Sequence, residues 1–286
     1  MRRLIAVGLA LLVAGCAAAS DDGRPSVVTG FYPLQFVAQR VGGDRVRVTD
    51  LAQPGAEPHD LELRPRQVGA IADATLLLSL RGFQPAVDEA ADQSGVAVLD
   101  VAGVVPLHSD DDHGGADWHL WLDPTKLAAV GTALADRLAA LDPAGADGYH
   151  QRSSALAAEL AELDTAFADG LRSCARREIV VSHDAFGYLT DRYGLHQIAI
   201  AGVSPDTEPT PRQLASAAEQ ARAAGATTIF FEPLVSPAVA RTVAQAAGAR
   251  AAVLDPVEGL EPGSAGDYVS VMRANLATLR SALECS

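Results

Sequence analysis

Three histidines and one aspartate, His59, His119, His183 and Asp255, lie in polar breaks between apolar runs, two in each half of the chain. Imidazole nitrogens and carboxylate oxygens are the donors that hold a tetrahedral Zn²⁺ where thiolates are absent. None of the three cysteines lies near these residues in the sequence. A single histidine in a loop is more often structural, so the prediction depends on the elements around each one. Together the four residues predict a metal site between two domains.

The neighbouring elements place each residue at a position suited to ligand binding. His59 lies in a loop between a strand-like run at residues 45–51 and a helical pattern. His119 lies between the two tryptophans of the chain and before an Asp-Pro helix start, although an aromatic core strand explains it equally well. His183 and Asp255 each follow a continuous apolar run, as at the C-terminal end of a buried parallel strand. Ligands bind at that edge of open α/β sheets.

The rhythm of apolar runs predicts an α/β fold with two lobes of parallel-sheet α/β layers. Strand-like runs alternate with helical patterns at residues 26–31, 45–51, 75–80 and 96–101, and again at residues 178–182, 196–201, 227–231 and 251–254. Between the two series, residues 144–172 carry apolar residues at helical spacing, which predicts one long helix of about 40 Å. We therefore expect an N-terminal lobe at residues 26–143, a linking helix at 144–173 and a C-terminal lobe at 174–286.

Three further stretches carry a resemblance to a known family. They are AFGYLTDRYGL at residues 185–195, GVSPDTEPTP at 202–211 and IFFEPLVSP at 229–237. With the four contexts above, they resemble the cluster A-I substrate-binding proteins of zinc and manganese ABC importers over nearly the whole chain after its leader. The resemblance implies that His59, His119, His183 and Asp255 are the metal ligands and that the long helix is a rigid backbone between the lobes.

The resemblance also implies a function. A histidine at the third ligand position, here His183, is typical of the zinc-binding branch, whereas manganese binders have a glutamate there. Imidazole donors favour Zn²⁺ on chemical grounds as well. The expected protein is not an enzyme but a monomeric, extracytoplasmic receptor that binds Zn²⁺ and delivers it to an ABC permease with its ATPase. A metallochaperone that loads the site is left open as a further partner.

Three alternatives remain at this stage. The first is a manganese-binding member of the family, and the second is an adhesin-type member in which the metal is structural. The third is a secreted zinc hydrolase, in which three histidines and an open position activate water. The sequence contains no His-Glu-x-x-His stretch and no nucleophile elbow, and the fourth position is expected to be filled by Asp255.

A short polar loop upstream of His119 resembles the His/Asp-rich loop of zinc-binding relatives. Its candidate ligands are His108, Asp110, Asp111, Asp112 and His113. The loop either captures zinc transiently or is a solvated acidic segment, and the two interpretations have equal support.

Several carboxylates near the histidines are candidates for orienting the imidazoles. Glu57 and Asp60 flank His59, and Asp184 follows His183. Glu232 follows another strand end, and we place it outside the ligand set.

The N-terminus resembles a lipoprotein signal peptide. Arg2 and Arg3 precede an apolar stretch at residues 4–14 that is shorter than the ~20 residues of a membrane span, and a lipobox ends at Cys16. We expect a signal peptide at residues 1–15, a lipid anchor to the cell membrane on Cys16 and a tether at residues 16–25. Cys174 and Cys285 would then remain in an oxidising compartment as a disulfide or as two free thiols.

Composition excludes some partners. The chain has 286 residues, 49% of them hydrophobic, and a formal net charge of −14. It has no Lys/Arg cluster beyond its leader, so nucleic acid and anionic lipid surfaces are not expected as partners. The apolar content is sufficient for two cores.

Overall fold

The computed structural model describes residues 23–110, 115–200, 210–234 and 236–286. The expected signal peptide and Cys16 lie outside the described residues, as do Asp111, Asp112 and His113 of the polar loop. In the described residues, strands and helices alternate in two series, with a long helix between them.

The first series forms a parallel sheet and a separate hairpin. Its elements are β1 (Ser26–Thr29), α1 (Tyr32–Gly42), β2 (Arg47–Asp50), α2 (Pro65–Ala72), β3 (Leu76–Ser79), α3 (Pro85–Ser94), β4 (Val98–Asp100), β5 (His108–Asp110), β6 (Gly115–Asp117) and α4 (Pro124–Leu141). The sheet has the order β2-β1-β3-β4 with parallel pairing throughout. Strands β5 and β6 form an antiparallel hairpin that the sequence did not predict.

The second series forms another parallel sheet after the long helix. Its elements are α5 (Ala146–Leu171), β7 (Glu178–Val181), α6 (Gly187–Tyr193), β8 (His196–Ala199), α7 (Pro211–Ala223), β9 (Thr228–Phe231), α8 (Ala238–Ala247), β10 (Arg250–Val253) and α9 (Tyr268–Leu283). The sheet order is β10-β9-β7-β8. The predicted fold class is confirmed, because each predicted run overlaps a strand and both main sheets are parallel.

Helix α5 joins the two sheets into one packed body. It has 26 residues and is therefore about 39 Å long. Its buried side chains follow helical spacing and comprise Tyr149, Ser153, Leu156, Leu160, Leu163, Phe167 and Leu171. Helix α5 contacts α1 and α4 from the first series and α6 and α9 from the second. One hydrophobic core therefore contains residues from both series, which restricts hinge motion between the sheets.

A disulfide between Cys174 and Cys285 joins the end of the long helix to the end of the chain. The backbones pair there as well, because Arg176 N–H donates to the Leu283 carbonyl at 3.2 Å. Within the described residues, no helix combines the length and the apolar character that a membrane crossing requires.

We expect the Cys174→Ala/Cys285→Ala double variant to have a free energy of unfolding about 4 kcal/mol lower than that of the wild type. The bridge closes a loop of 111 residues, so its removal releases chain entropy in the unfolded state. Urea unfolding followed by circular dichroism measures the change, and wild type treated with a reductant should behave like the variant. Equal unfolding midpoints for oxidised and reduced wild type would contradict a stabilising bridge.

Candidate metal centre

Four side chains from both halves of the chain meet in one group, in which three side chains are buried and that of His59 is partly buried. His59 lies in the loop between β2 and α2, His119 follows β6, His183 follows β7 and Glu258 follows β10. One ligand atom from each of them lies within 4.8 Å of all the others. Three of the four residues predicted from the sequence are therefore brought together, and the fourth member is Glu258 rather than Asp255.

The distances from the Glu258 carboxylate to the three imidazoles are close to those between the ligand atoms of a tetrahedral ion. The Nε2 atoms of His59, His119 and His183 lie 3.2, 3.0 and 3.4 Å from Oε1 of Glu258. Bonds of about 2.0–2.2 Å to a tetrahedral Zn²⁺ place neighbouring ligand atoms about 3.3–3.6 Å apart. Nε2 of His183 is buried and has no hydrogen-bond partner, as expected for an atom that donates its lone pair to a metal.

Two further carboxylates set the orientation of two imidazoles. Nδ1 of His183 lies 2.6 Å from Oε1 of Glu232, which also accepts a hydrogen bond from the Ser182 hydroxyl. Nδ1 of His119 lies 2.9 Å from Oδ1 of Asp117. Because an ionised carboxylate only accepts hydrogen bonds, each Nδ1 carries the proton and each Nε2 faces the group.

The backbone around His59 and His119 is fixed by local contacts. The buried Gln84 side chain donates to the carbonyl of Pro58 at 3.0 Å and to that of Gly30 at 3.2 Å, which holds the residue before His59. The His59 ring packs edge-on against Phe83 with 4.6 Å between ring centroids. The His119 backbone N–H donates to the same Asp117 oxygen that its imidazole contacts.

Strong electrostatic coupling runs through the group. Burial raises the pKa of Glu258, but the contacts with His119, His183 and His59 outweigh burial and hold this pKa well below its usual range. Burial lowers the pKa of His119, yet Asp117 and Glu258 raise it to about 9. Burial also lowers the pKa of His183, and Glu232 and Glu258 raise it well above its usual value. The carboxylates thus make this a site that favours positive charge.

Asp255 has a different role from the one that the sequence predicted. Its Oδ1 accepts the backbone N–H of Val257 at 2.8 Å, so the carboxylate stabilises a turn after β10. Burial raises the pKa of Asp255 to about 6. The strand ends at Val253, and the turn carries the chain to Glu258, whose longer side chain reaches the imidazoles. This corrects the assignment of Asp255 to the four-residue group.

The carboxylates predicted to orient imidazoles also differ from those observed. Oε1 of Glu57 accepts the backbone N–H of His59 at 3.1 Å rather than a ring proton. Asp184 accepts a hydrogen bond from Gln197, and Asp60 is exposed. The orienting residues are Asp117 and Glu232, and Glu232 lies outside the four-residue group, as expected from the sequence.

The described part of the polar loop is held by aromatic and polar contacts. The His108 ring stacks on Tyr188 with 3.9 Å between centroids, and its backbone N–H donates to the Tyr188 hydroxyl at 2.8 Å. Nδ1 of His108 lies 3.5 Å from Oδ2 of Asp191. Asp110 ends the first strand of the hairpin, and the role of this loop in metal binding stays a prediction.

A cavity of about 220 Å³ lies beside the chain segment that follows Glu258. Its walls include Asp50 and Gln53 from the first series and Gly259 and Leu260 from the second. Burial raises the pKa of Asp50 to about 7, although the Thr29 hydroxyl donates to its Oδ1 at 2.8 Å and opposes the shift.

We expect Asp50→Asn to stabilise the protein by about 1–2 kcal/mol at pH 8 and to have little effect near pH 4. Because the pKa of Asp50 is raised in the folded protein, ionisation of this carboxylate lowers the free energy of unfolding. Wild type therefore loses stability as pH rises from about 4 through about 7. The magnitude is reduced because the side chain is half-buried. Urea unfolding at the two pH values measures it. If Asp50→Asn changes the free energy of unfolding equally at both pH values, folding does not raise the pKa of Asp50.

Comparison with known proteins agrees with the family resemblance of the sequence motifs over almost the whole chain. Residues 27–282 match the family described as ZnuA, zinc-uptake complex component A, periplasmic. The zinc-binding protein AdcA of Streptococcus pyogenes serotype M6 is 31% identical over 309 aligned residues, which cover 98% of this chain and 60% of AdcA. The chain thus spans about 60% of the length of that relative.

Two solved structures are similar in fold. The laminin-binding protein of Streptococcus agalactiae, described as bifunctional with adhesin and metal-transporting activity, has a TM-score of 0.84 at 32% identity. This match covers 91% of this chain and 99% of that protein. The Zn(II)-bound ZnuA-like domain of Streptococcus pneumoniae AdcA has a TM-score of 0.81 at 31% identity, with 92% of this chain and all of that domain covered.

Proposed function

The chain belongs to the ZnuA family of periplasmic zinc-uptake components, and we propose that it captures Zn²⁺ between its two sheets for delivery to a membrane transporter. In this proposal the ligands are Nε2 of His59, His119 and His183 and a carboxylate oxygen of Glu258. Zinc is the cargo, and the protein carries out no covalent chemistry.

The observation that carries the proposal is the convergence of three imidazoles, two of them buried and that of His59 partly buried, on one buried carboxylate. His119 and His183 are fully buried and Glu258 is 2% exposed. Burying an ionised carboxylate costs several kcal/mol unless positive charge compensates it. A dication bonded to all four groups supplies that charge and replaces the water that each group lost. The zinc bound by a structural relative supports this choice of cargo.

The donor set favours zinc over manganese. Three borderline-soft imidazoles with one carboxylate suit tetrahedral Zn²⁺, whereas Mn²⁺ prefers more oxygen donors. The carboxylates of Asp117 and Glu232 are engaged with Nδ1 atoms and orient the imidazoles instead of adding oxygen ligands. Selectivity would therefore follow from both ligand type and ligand number.

Hydrolysis is disfavoured by the same geometry. A catalytic zinc site keeps one position open for water, whereas four protein ligands close a tetrahedral shell. The adhesin activity described for the Streptococcus agalactiae relative is compatible with this fold, but metal capture has the more direct support because it depends on residues that meet in one group.

Delivery would take place outside the cytoplasm. We propose that Cys16 carries a lipid anchor, that the folded part lies at the outer face of the cell membrane, and that the metal-loaded monomer docks on an ABC permease driven by its ATPase. The family description as a periplasmic uptake component supports this location. The shared core along α5 restricts hinge opening, so zinc release would occur through movement of the ligand loops.

We expect the soluble protein beginning after Cys16 to bind one equivalent of zinc tightly. His183→Ala should weaken binding by at least about 100-fold, because it removes a ligand and leaves its partners unpaired. Competition with a zinc chelator measures the affinity, with manganese as a second competitor. His150→Ala is the matched control, since His150 is half-exposed on α5 and contacts Asp136. Manganese preference, or equal affinity in the His183 variant, would contradict the proposal.

We expect Glu232→Gln to weaken zinc binding by about 10- to 100-fold without changing the stoichiometry. The amide keeps the size of the side chain but removes the negative charge that orients His183 and increases its basicity. The same chelator competition gives the affinity. Glu159→Gln is the control, because it removes a carboxylate paired with Arg40 on the α5 surface. If both variants bind like wild type, Glu232 does not act through His183.

A further inference from the structure

The residue before Glu258 has an unusual backbone conformation. Val257 has φ of 59°, and among the described residues the only other non-glycine residue with positive φ is Glu284. The left-handed conformation is sterically unfavourable for a β-branched residue such as valine. Val257 is fully buried. Surrounding contacts must therefore impose this conformation on the chain where it presents Glu258 to the imidazoles.

Hydrogen bonds hold each of the three residues that precede Glu258. Oδ1 of Asp255 accepts the Val257 N–H at 2.8 Å. The Asn275 side chain on α9 accepts the Asp255 N–H at 2.9 Å and donates to the Asp255 carbonyl at 2.6 Å. Nε1 of Trp121 donates to the carbonyl of Pro256 at 2.7 Å. These contacts tie the turn to both halves of the chain.

We propose that Asp255 is a positioning residue for zinc binding: by accepting the Val257 N–H, it holds the left-handed turn that places Glu258 against the three histidines. The proposal rests on the function proposed above, with Glu258 as the fourth ligand. Asp255 acts through the backbone, so its effect depends on a hydrogen-bond acceptor at Oδ1 and not on its charge.

A cavity beside the turn leaves space for Glu258 to move away from the three histidines. Gly259 and Leu260 line the cavity of about 220 Å³, so there is space beside the segment that follows the ligand. The Leu260 carbonyl accepts the Gly55 N–H at 2.8 Å, a contact with the loop that carries His59. Loss of the Asp255 contact would let Val257 relax to negative φ and move Glu258 away from the imidazoles. The main consequence is faster zinc dissociation.

The test compares Asp255→Ala with Asp255→Asn in the soluble protein beginning after Cys16. Asparagine keeps an acceptor oxygen at Oδ1 and removes the charge, whereas alanine removes both. We expect the zinc dissociation rate of Asp255→Ala to rise by about tenfold or more, and that of Asp255→Asn to stay within about threefold of wild type. Stopped-flow transfer of zinc to a fluorescent chelator gives both rates.

A second readout follows the turn itself. Amide hydrogen exchange at Val257, measured by NMR on the metal-free protein, should be fast in Asp255→Ala and slow in wild type and in Asp255→Asn. Asp267→Ala is the control for general loss of stability, because Asp267 caps α9 by accepting the Ser270 N–H at 2.9 Å. This control should leave both the zinc dissociation rate and the Val257 exchange near the wild-type values.

Two results would overturn the proposal. Equal acceleration in the alanine and asparagine variants would mean that the charge of Asp255 matters, as for a metal ligand. Wild-type rates in both variants would mean that the contact with Val257 does not position Glu258. If wild type binds no zinc, the proposed function fails, and the exchange of Val257 still decides whether Asp255 holds the turn.

Discussion

The structure depends on one electrostatic constraint, the burial of the Glu258 carboxylate among three imidazoles. In the described part of the chain, every ion pair of Glu258 is with a histidine. The negative charges of Glu232 and Asp117 lie directly behind two of these rings. Such a group is stable only when positive charge occupies it, either as protons on the imidazoles or as a metal ion. A protein that binds a dication exchanges one form of positive charge for the other, because the metal displaces protons from the same nitrogen atoms.

The architecture keeps these groups close without allowing the sheets to separate freely. Parallel strands direct the loops after β7, β9 and β10 to one edge of the second sheet, and His183, Glu232 and Glu258 come from those loops. His59 and His119 come from the first half of the chain, which shares the core along α5. The Tyr268 hydroxyl donates to the Trp121 carbonyl at 2.5 Å and adds another tie between the halves. Binding or release of the metal would therefore move the ligand loops, whereas the two sheets would keep their relative positions.

Much of this arrangement could be predicted from the sequence because apolar periodicity determines strands and helices. The eight strands of the two main sheets have that pattern, and His183 lies two residues after the end of one of them. The choice of carboxylate could not be predicted in the same way, because it depends on the left-handed turn at Val257. Of the acids that follow β10, Asp255 forms the turn and Glu258 reaches the imidazoles. The flanking apolar residues Val257 and Leu260 were the available signal that Glu258 is buried.

The orienting residues could not be predicted for a related reason. Glu232 contacts His183 because β9 lies beside β7 in the sheet, and strand order is not contained in local periodicity. Asp117 reaches His119 through a compact turn after β6 in a hairpin that has weak strand character in the sequence. The fold class therefore follows from local patterns, whereas the details of the site depend on contacts between residues that are distant in the sequence.

The most direct test of the account is a crystal structure of the zinc-loaded protein, with anomalous diffraction recorded on both sides of the zinc edge. We expect one anomalous peak bonded at about 2.0–2.2 Å to Nε2 of His59, His119 and His183 and to an oxygen of Glu258. Asp255 should remain hydrogen-bonded to the Val257 N–H. A peak coordinated by Asp255 in place of Glu258, or the absence of a peak at the three histidines, would contradict the account.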